Sequence, residues 1–134
     1  MSCTEAFYGT GSRAIDLNLR GKSFSTYNQA NYGYSFGTQT LNINVPFVLS
    51  SNLYGLFFNN FSAGNFNIAN TDSTLLQYAC DTLPLSYFIF GGNSMGSIIN
   101  KYTNLTGRQP LPPRCTNFTN VRFDFAAVNC ALWN

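Results

Sequence analysis

Residues 1–92 consist of short apolar runs, each closed within a few positions by Gly, Asn, Ser or Pro. A helix needs apolar positions that recur at 3.6-residue spacing over ten or more residues, whereas a strand needs only about four to eight. The pattern therefore predicts an all-β fold. Candidate strands cover Phe7–Thr10, Lys22–Tyr27, Asn44–Leu49, Tyr54–Asn59, Asn65–Ile68, Thr74–Ala79 and Leu85–Phe90. Turn residues separate them at Ser51-Asn52, Ala63-Gly64, Asn70-Thr71-Asp72 and Gly91-Gly92. The runs VPFVLS and LSYFIF are apolar at consecutive positions, so both faces of those strands expect cover, as in a β-sandwich.

Two segments break this pattern. The stretch Gln29–Asn42 is rich in Gly, Asn and Tyr with no period, and reads as a long loop on the β scaffold. After Gly92, Asn93 or Ser94 can cap a helix whose apolar stripe is Ile98, Ile99, Tyr102 and Leu105, with Gly107 as its stop. Pro110, Pro112 and Pro113 then force an extended connector. The expected organisation is a partial β-sandwich over 1–92, one helix over 93–107, and a linker with a divergent tail over 108–134. In that tail Phe118, Val121, Phe123 and Phe125 alternate enough for one weak strand.

With 134 residues the chain is one domain by length, and its 16% aromatic content excludes intrinsic disorder. A net charge of +2 is too small to point to nucleic acid, and no apolar stretch approaches a membrane span. The first residues lack the apolar core of a secretory signal, so a cytoplasmic product is expected. Cys3, Cys80, Cys115 and Cys130 are scattered and the chain has no histidine, so neither a metal site, a redox pair nor a cofactor is expected, and free thiols are. The N-x-[ST] triplets at Asn60, Asn104 and Asn117 carry weight only in an exported protein.

Catalytic chemistry is poorly supplied. Five carboxylates are present, Glu5, Asp16, Asp72, Asp81 and Asp124, but Asp72 and Asp81 sit in turns and Asp16 has Arg13 or Arg20 as a partner. A Ser or Cys triad has no histidine base, and YGTGSR lacks the ending of a phosphate loop. No catalytic residue is assigned. With only 9% charged residues, polarity comes from neutral Asn, Ser, Thr and Tyr. That mixture suits hydroxyl-rich ligands, and it equally suits strands. Tyr27, Asn28, Asn31, Tyr32 and Tyr34 are the candidate sugar-binding residues; the competing reading is that these tyrosines pack the loop onto the sandwich.

Four stretches, in order, resemble glycoside hydrolase family 31, the α-glucosidase and α-xylosidase family. They are FYGTGSRAIDLNLRGKSFSTYN (7–28), YGYSFGTQTLNINVPFVLSS (32–51), YGLFFNN (54–60) and IINKYTNLTGRQPLPPR (98–114). The resemblance implies a galactose-mutarotase-like sandwich that packs on a (β/α)8 barrel, the barrel supplying both catalytic aspartates. Here Ser12 and Asn59 stand where the family has Glu and Asp, and Ala30 lies nearest to a sugar-contacting aspartate of many relatives. The likeness fades after Arg114, where relatives continue with Trp. The expected product is thus a truncated sandwich piece, inactive alone, with open strand edges that favour self-association. The alternatives are a carbohydrate-binding module for α-linked oligosaccharide and a subunit that pairs with a separately encoded barrel.

Overall fold

The computed structural model describes residues 1, 4–108 and 110. Its elements are β1 (Phe7–Gly11), β2 (Lys22–Ser25), β3 (Asn44–Ser50), β4 (Tyr54–Asn59), β5 (Gly64–Ile68), β6 (Leu76–Cys80), β7 (Ser86–Gly91) and α1 (Met95–Thr106). One compact unit spans Met1–Tyr102 and a second begins at Thr103. The weak strand around Phe118–Phe125, Asp124, Asn117, Cys3, Cys115, Cys130, Pro112 and Pro113 lie outside the described residues.

All seven expected strands form, in two antiparallel sheets ordered β1-β3-β4-β7 and β2-β5-β6. Two ends differ from expectation by two residues, the others by one at most. β2 stops at Ser25 and residues 26–43 carry no regular element, so the loop is longer than 29–42. β6 begins at Leu76 because Asp72 Oδ1 accepts from the Thr74 N–H at 2.8 Å and its hydroxyl at 2.7 Å, holding residues 72–75 in a turn. These two bonds, to a fully exposed carboxylate, also hold its pKa below the usual value. Asp16 pairs with Lys22 at 3.4 Å, not with Arg13 or Arg20, because both guanidiniums are directed to backbone carbonyls.

The sheets face each other across a core of Phe7, Leu19, Phe24, Val48, Phe66 and Ile68. Around Phe66 the aromatic rings interlock: Phe24 at 5.8 Å, Phe58 at 5.6 Å and Tyr78 at 4.8 Å between centroids. The other face of the β1-β3-β4-β7 sheet carries a second cluster, Phe47, Leu49 and Ile98, where α1 lies on the strands. Val48 points to one core while Phe47 and Leu49 point to the other, which explains why VPFVLS is apolar at consecutive positions.

At Gly55 a Cβ would stand 2.9 Å from both Ile98 Cγ2 and Phe47 Cε2, so only glycine lets α1 and Phe47 settle over β4. Gly9, Thr10 and Gly11 take positive φ of 100°, 68° and 94°, and the β1–β3 register shifts there. Such backbone is open to glycine and strained for the β-branched Thr10.

Ser94 caps α1 reciprocally with Ser97: the Ser97 N–H donates to Ser94 Oγ at 3.2 Å and the Ser94 N–H to Ser97 Oγ at 3.3 Å. Gly107, at φ 97°, ends the helix and donates to the Thr103 carbonyl at 2.9 Å. The buried stripe differs from expectation. Ile98, Met95 and Tyr102 pack, while Ile99 and Leu105 remain exposed.

Below the start of β1, Glu5 is buried and its carboxylate accepts from Ser50 Oγ. Tyr54 lies beside this pair. Burial first, then its bond to Glu5, push the phenol pKa up to about 12. Glu5 is therefore part of the sandwich interior and faces no ligand-accessible surface.

Candidate functional site

The loop over residues 26–43 is irregular yet tied at many points. Asn28 Oδ1 accepts from the Asn44 N–H at 2.7 Å and from Asn44 Nδ2 at 3.1 Å, and Asn44 Nδ2 also donates to the Tyr27 carbonyl at 2.9 Å. The Asn31 N–H donates to Asn42 Oδ1 at 3.1 Å, and Asn31 Nδ2 to the Thr40 carbonyl at 3.5 Å. The apex is fastened to the segment after β1: Gly37 N–H to the Ala14 carbonyl at 2.7 Å, and Ala14 N–H to the Thr38 carbonyl at 3.0 Å.

These ties fix the backbone and leave the rings in solvent. Tyr27 is 59% exposed, Tyr32 90%, Tyr34 58% and Phe36 79%. The tyrosines do not pack the loop onto the sandwich; asparagines perform that task. Of the five residues singled out in the sequence, Asn28 and Asn31 hold the loop, while Tyr27, Tyr32 and Tyr34 are displayed by it.

Beside the base of the loop lies a cleft of about 260 Å³, lined by Thr26, Asn28, Asn44, Pro46, Phe57, Phe58, Asn59, Asn60, Phe61, Ser62 and Tyr78. Asn28 belongs to both features. Asn60 is spent on its surroundings, donating to the Thr82 carbonyl at 3.1 Å and accepting from the Ser62 N–H at 2.7 Å. The Thr26 and Tyr78 hydroxyl oxygens are buried without a hydrogen bond of standard geometry. Burial raises the Tyr78 phenol pKa, and the nearby Thr26 hydroxyl offsets part of that rise.

The sequence gives little sign of Asn44, Asn59 or Tyr78 as cleft residues, because they come from β3, β4 and β6 and meet only through sheet pairing. Among the described residues no carboxylate lines the cleft. Asp81 sits in a bend, its N–H donating to the Ala63 carbonyl at 3.2 Å. Among the described residues no cluster of His, Cys, Asp or Glu could hold a metal ion, Cys80 is a free thiol, and no helix is long and apolar enough to cross a membrane. Among the described residues the surface is thus one of neutral amides, hydroxyls and aromatic rings, with no acid–base pair in the cleft.

Comparison with known proteins agrees with this architecture. Residues 1–67 match the glycosyl hydrolase 31 N-terminal galactose mutarotase-like domain. Over 113 residues the chain is 30% identical to the α-xylosidase XylQ of Lactiplantibacillus pentosus, covering 84% of this chain and 14% of that enzyme. A family 31 dextranase of Flavobacterium johnsoniae, solved with glucose, superposes with a TM-score of 0.82 at 28% identity, over 87% of this chain and 14% of the dextranase. The cycloalternan-forming enzyme of Listeria monocytogenes, solved with a pentasaccharide substrate, gives 0.73 at 31% identity, over 84% of this chain and 11% of that one. The two facing sheets, the strand motifs and the domain match agree: this chain belongs to the N-terminal, galactose mutarotase-like domain of the family 31 glycoside hydrolases.

Proposed function

We propose that this domain is a non-catalytic, sugar-facing element of an α-glycoside-processing enzyme, with the 26–43 loop forming one rim of a site for α-linked oligosaccharides. The observation that carries the reading is a loop whose backbone is pinned by amide side chains while Tyr27, Tyr32, Tyr34 and Phe36 face solvent. Aromatic faces stack on the C–H faces of pyranose rings, and a loop fixed beforehand loses little entropy when a ligand arrives. The glucose bound to the dextranase and the pentasaccharide bound to the cycloalternan-forming enzyme support a sugar ligand, and the α-xylosidase among the relatives supports the α linkage. Bond cleavage is assigned to residues outside this domain, since among the described residues no carboxylate lines the cleft.

Titration with isomalto-, malto- and xylo-oligosaccharides, followed by calorimetry or amide chemical shifts, tests this. Weak, millimolar-range binding is expected, and Tyr32→Ala should reduce it by up to about tenfold, the scale of one aromatic contact. An absence of heat and of shifts at millimolar sugar would sink the reading.

A second role is favoured by β7. An edge strand among the described residues, SYFIFG has no charged residue and exposes Tyr87, Phe88 and Ile89. Unpaired, uncharged edges of this kind add strands from another polypeptide, here either the rest of such an enzyme or a second copy of the chain. Sedimentation over rising concentration should show association that Ile89→Lys suppresses; a monomer at every concentration leaves only the rest of the enzyme as partner.

A further inference from the structure

Arg13 follows the strained Gly9–Gly11 segment, and its side chain runs beneath the loop. All five of its N–H donors are used. Nε donates to Thr10 Oγ1 at 2.8 Å. One terminal nitrogen donates to the Thr10 carbonyl at 3.1 Å and to Asn44 Oδ1 at 2.9 Å. The other donates to the Ser25 carbonyl at 3.5 Å and, closely, to the Gln39 carbonyl. The guanidinium carbon also sits 3.7 Å from the centre of the Phe24 ring.

Every one of these acceptors is neutral, and the three beyond Thr10 lie along the loop: Ser25 just before it, Gln39 within its return, Asn44 just after. A cation drawn partly out of water normally takes a carboxylate partner. Here it takes the carbonyl dipoles of the loop instead, and burial lowers its pKa to about 10. A surface ion pair would add little, but a planar five-donor fork imposes one geometry on everything it touches. Lysine has three donors around a single point and cannot span acceptors that diverge in this way. The fork also explains why Thr10 tolerates its positive φ, since its hydroxyl and carbonyl are both held by it.

We infer that Arg13 is the positioning residue of the 26–43 loop, a clasp that joins its outgoing and returning limbs and so sets where its tyrosines stand. Loop order depends on this clasp with or without a ligand, while its effect on sugar affinity rests on the function proposed above.

Hydrogen exchange on the intact chain tests both parts, with Arg13→Lys and Arg13→Gln compared with the unaltered protein. The amides of Asn31, Gly37 and Asn44, all bonded within the loop or to its flanks, should exchange about tenfold faster or more in both variants, given the strength of hydrogen bonds from a charged donor. Amides paired between β5 and β6 should keep their rates. Unchanged loop rates would overturn the inference. So would equal acceleration throughout the sandwich, which would make Arg13 an ordinary core residue, or full rescue by lysine, which would make charge rather than the fork the cause. Should both Arg13 variants fail to fold, the Arg13 Nε proton of the unaltered chain, bonded to Thr10 Oγ1, must exchange as slowly as the loop amides, and fast exchange there overturns the inference. In parallel, sugar titration of the unaltered chain and the variants separates the two claims. Binding lost only in the variants supports both. If the unaltered chain binds no sugar, the proposed function falls and the exchange rates alone decide the clasp.

Discussion

Replacing Phe66 by alanine is expected to cost about 3–5 kcal/mol of folding free energy, the range for truncating a buried Phe to a cavity. Phe66 is fully buried between the sheets, and three other rings pack on it. The surrounding side chains come from both sheets, so collapse into the vacated space would require the sheets themselves to move. Against a total stability of about 5–15 kcal/mol for a domain, this loss leaves little margin at 37 °C. Urea unfolding followed by tyrosine fluorescence measures it. Phe61→Ala provides the contrast, since that ring is wholly in solvent and should change stability by no more than about 0.5 kcal/mol. Similar costs at the two positions would mean that the core is centred elsewhere.

The second large effect is expected at Gly55. Valine there would place its Cβ against Ile98 and Phe47 at distances no real Cβ occupies, with two more carbons beyond it. Overpacking of this kind costs about 1–3 kcal/mol, and α1 is the element able to yield. The stacked Phe47 and Tyr102 rings, 4.2 Å apart, should separate as the helix lifts. Near-ultraviolet circular dichroism should then weaken while the strand signal in the far ultraviolet persists. Truncating Ile98 to alanine in the same chain should recover part of the loss, because it removes one of the two obstructing side chains. An unaltered midpoint and spectrum for Gly55→Val would show that the helix does not depend on this close approach.

How much of this was legible in the sequence depends on the range of the forces involved. Strand positions were legible because turn residues bracket each apolar run, and the Ser94 cap and Gly107 stop because both act within a few residues. Sheet order was not. β1 lies beside β3 and β2 beside β5, and strands apolar at consecutive positions give no sign of which neighbour they take. The choice between packed and displayed tyrosines was also closed to sequence, since the ring suits either place; it is settled by Asn28, Asn31 and Asn44, whose amides take over the anchoring. In the sequence Arg13 stands out only as a partner for Asp16. Its true acceptors are mostly backbone carbonyls, which every residue possesses and which no composition reveals.

The two-sided packing of β3 has a consequence for the way this fold can go wrong. In a strand with one wet face, a slip of one residue buries polar groups and is expelled at once. In β3 the same slip exchanges Phe47 and Leu49 for Val48, apolar for apolar, so hydrophobicity scarcely discriminates between correct and shifted alignments. Discrimination falls instead to the buried Ser50–Glu5 hydrogen bond at the end of the strand and to shape: the bare backbone of Gly9 beneath the Phe47 carbonyl, and that of Gly55 beneath its ring. Side chains introduced at these two glycines should therefore yield a mixture of alignments, visible as doubled amide resonances along β1, β3 and β4, before they yield an unfolded chain.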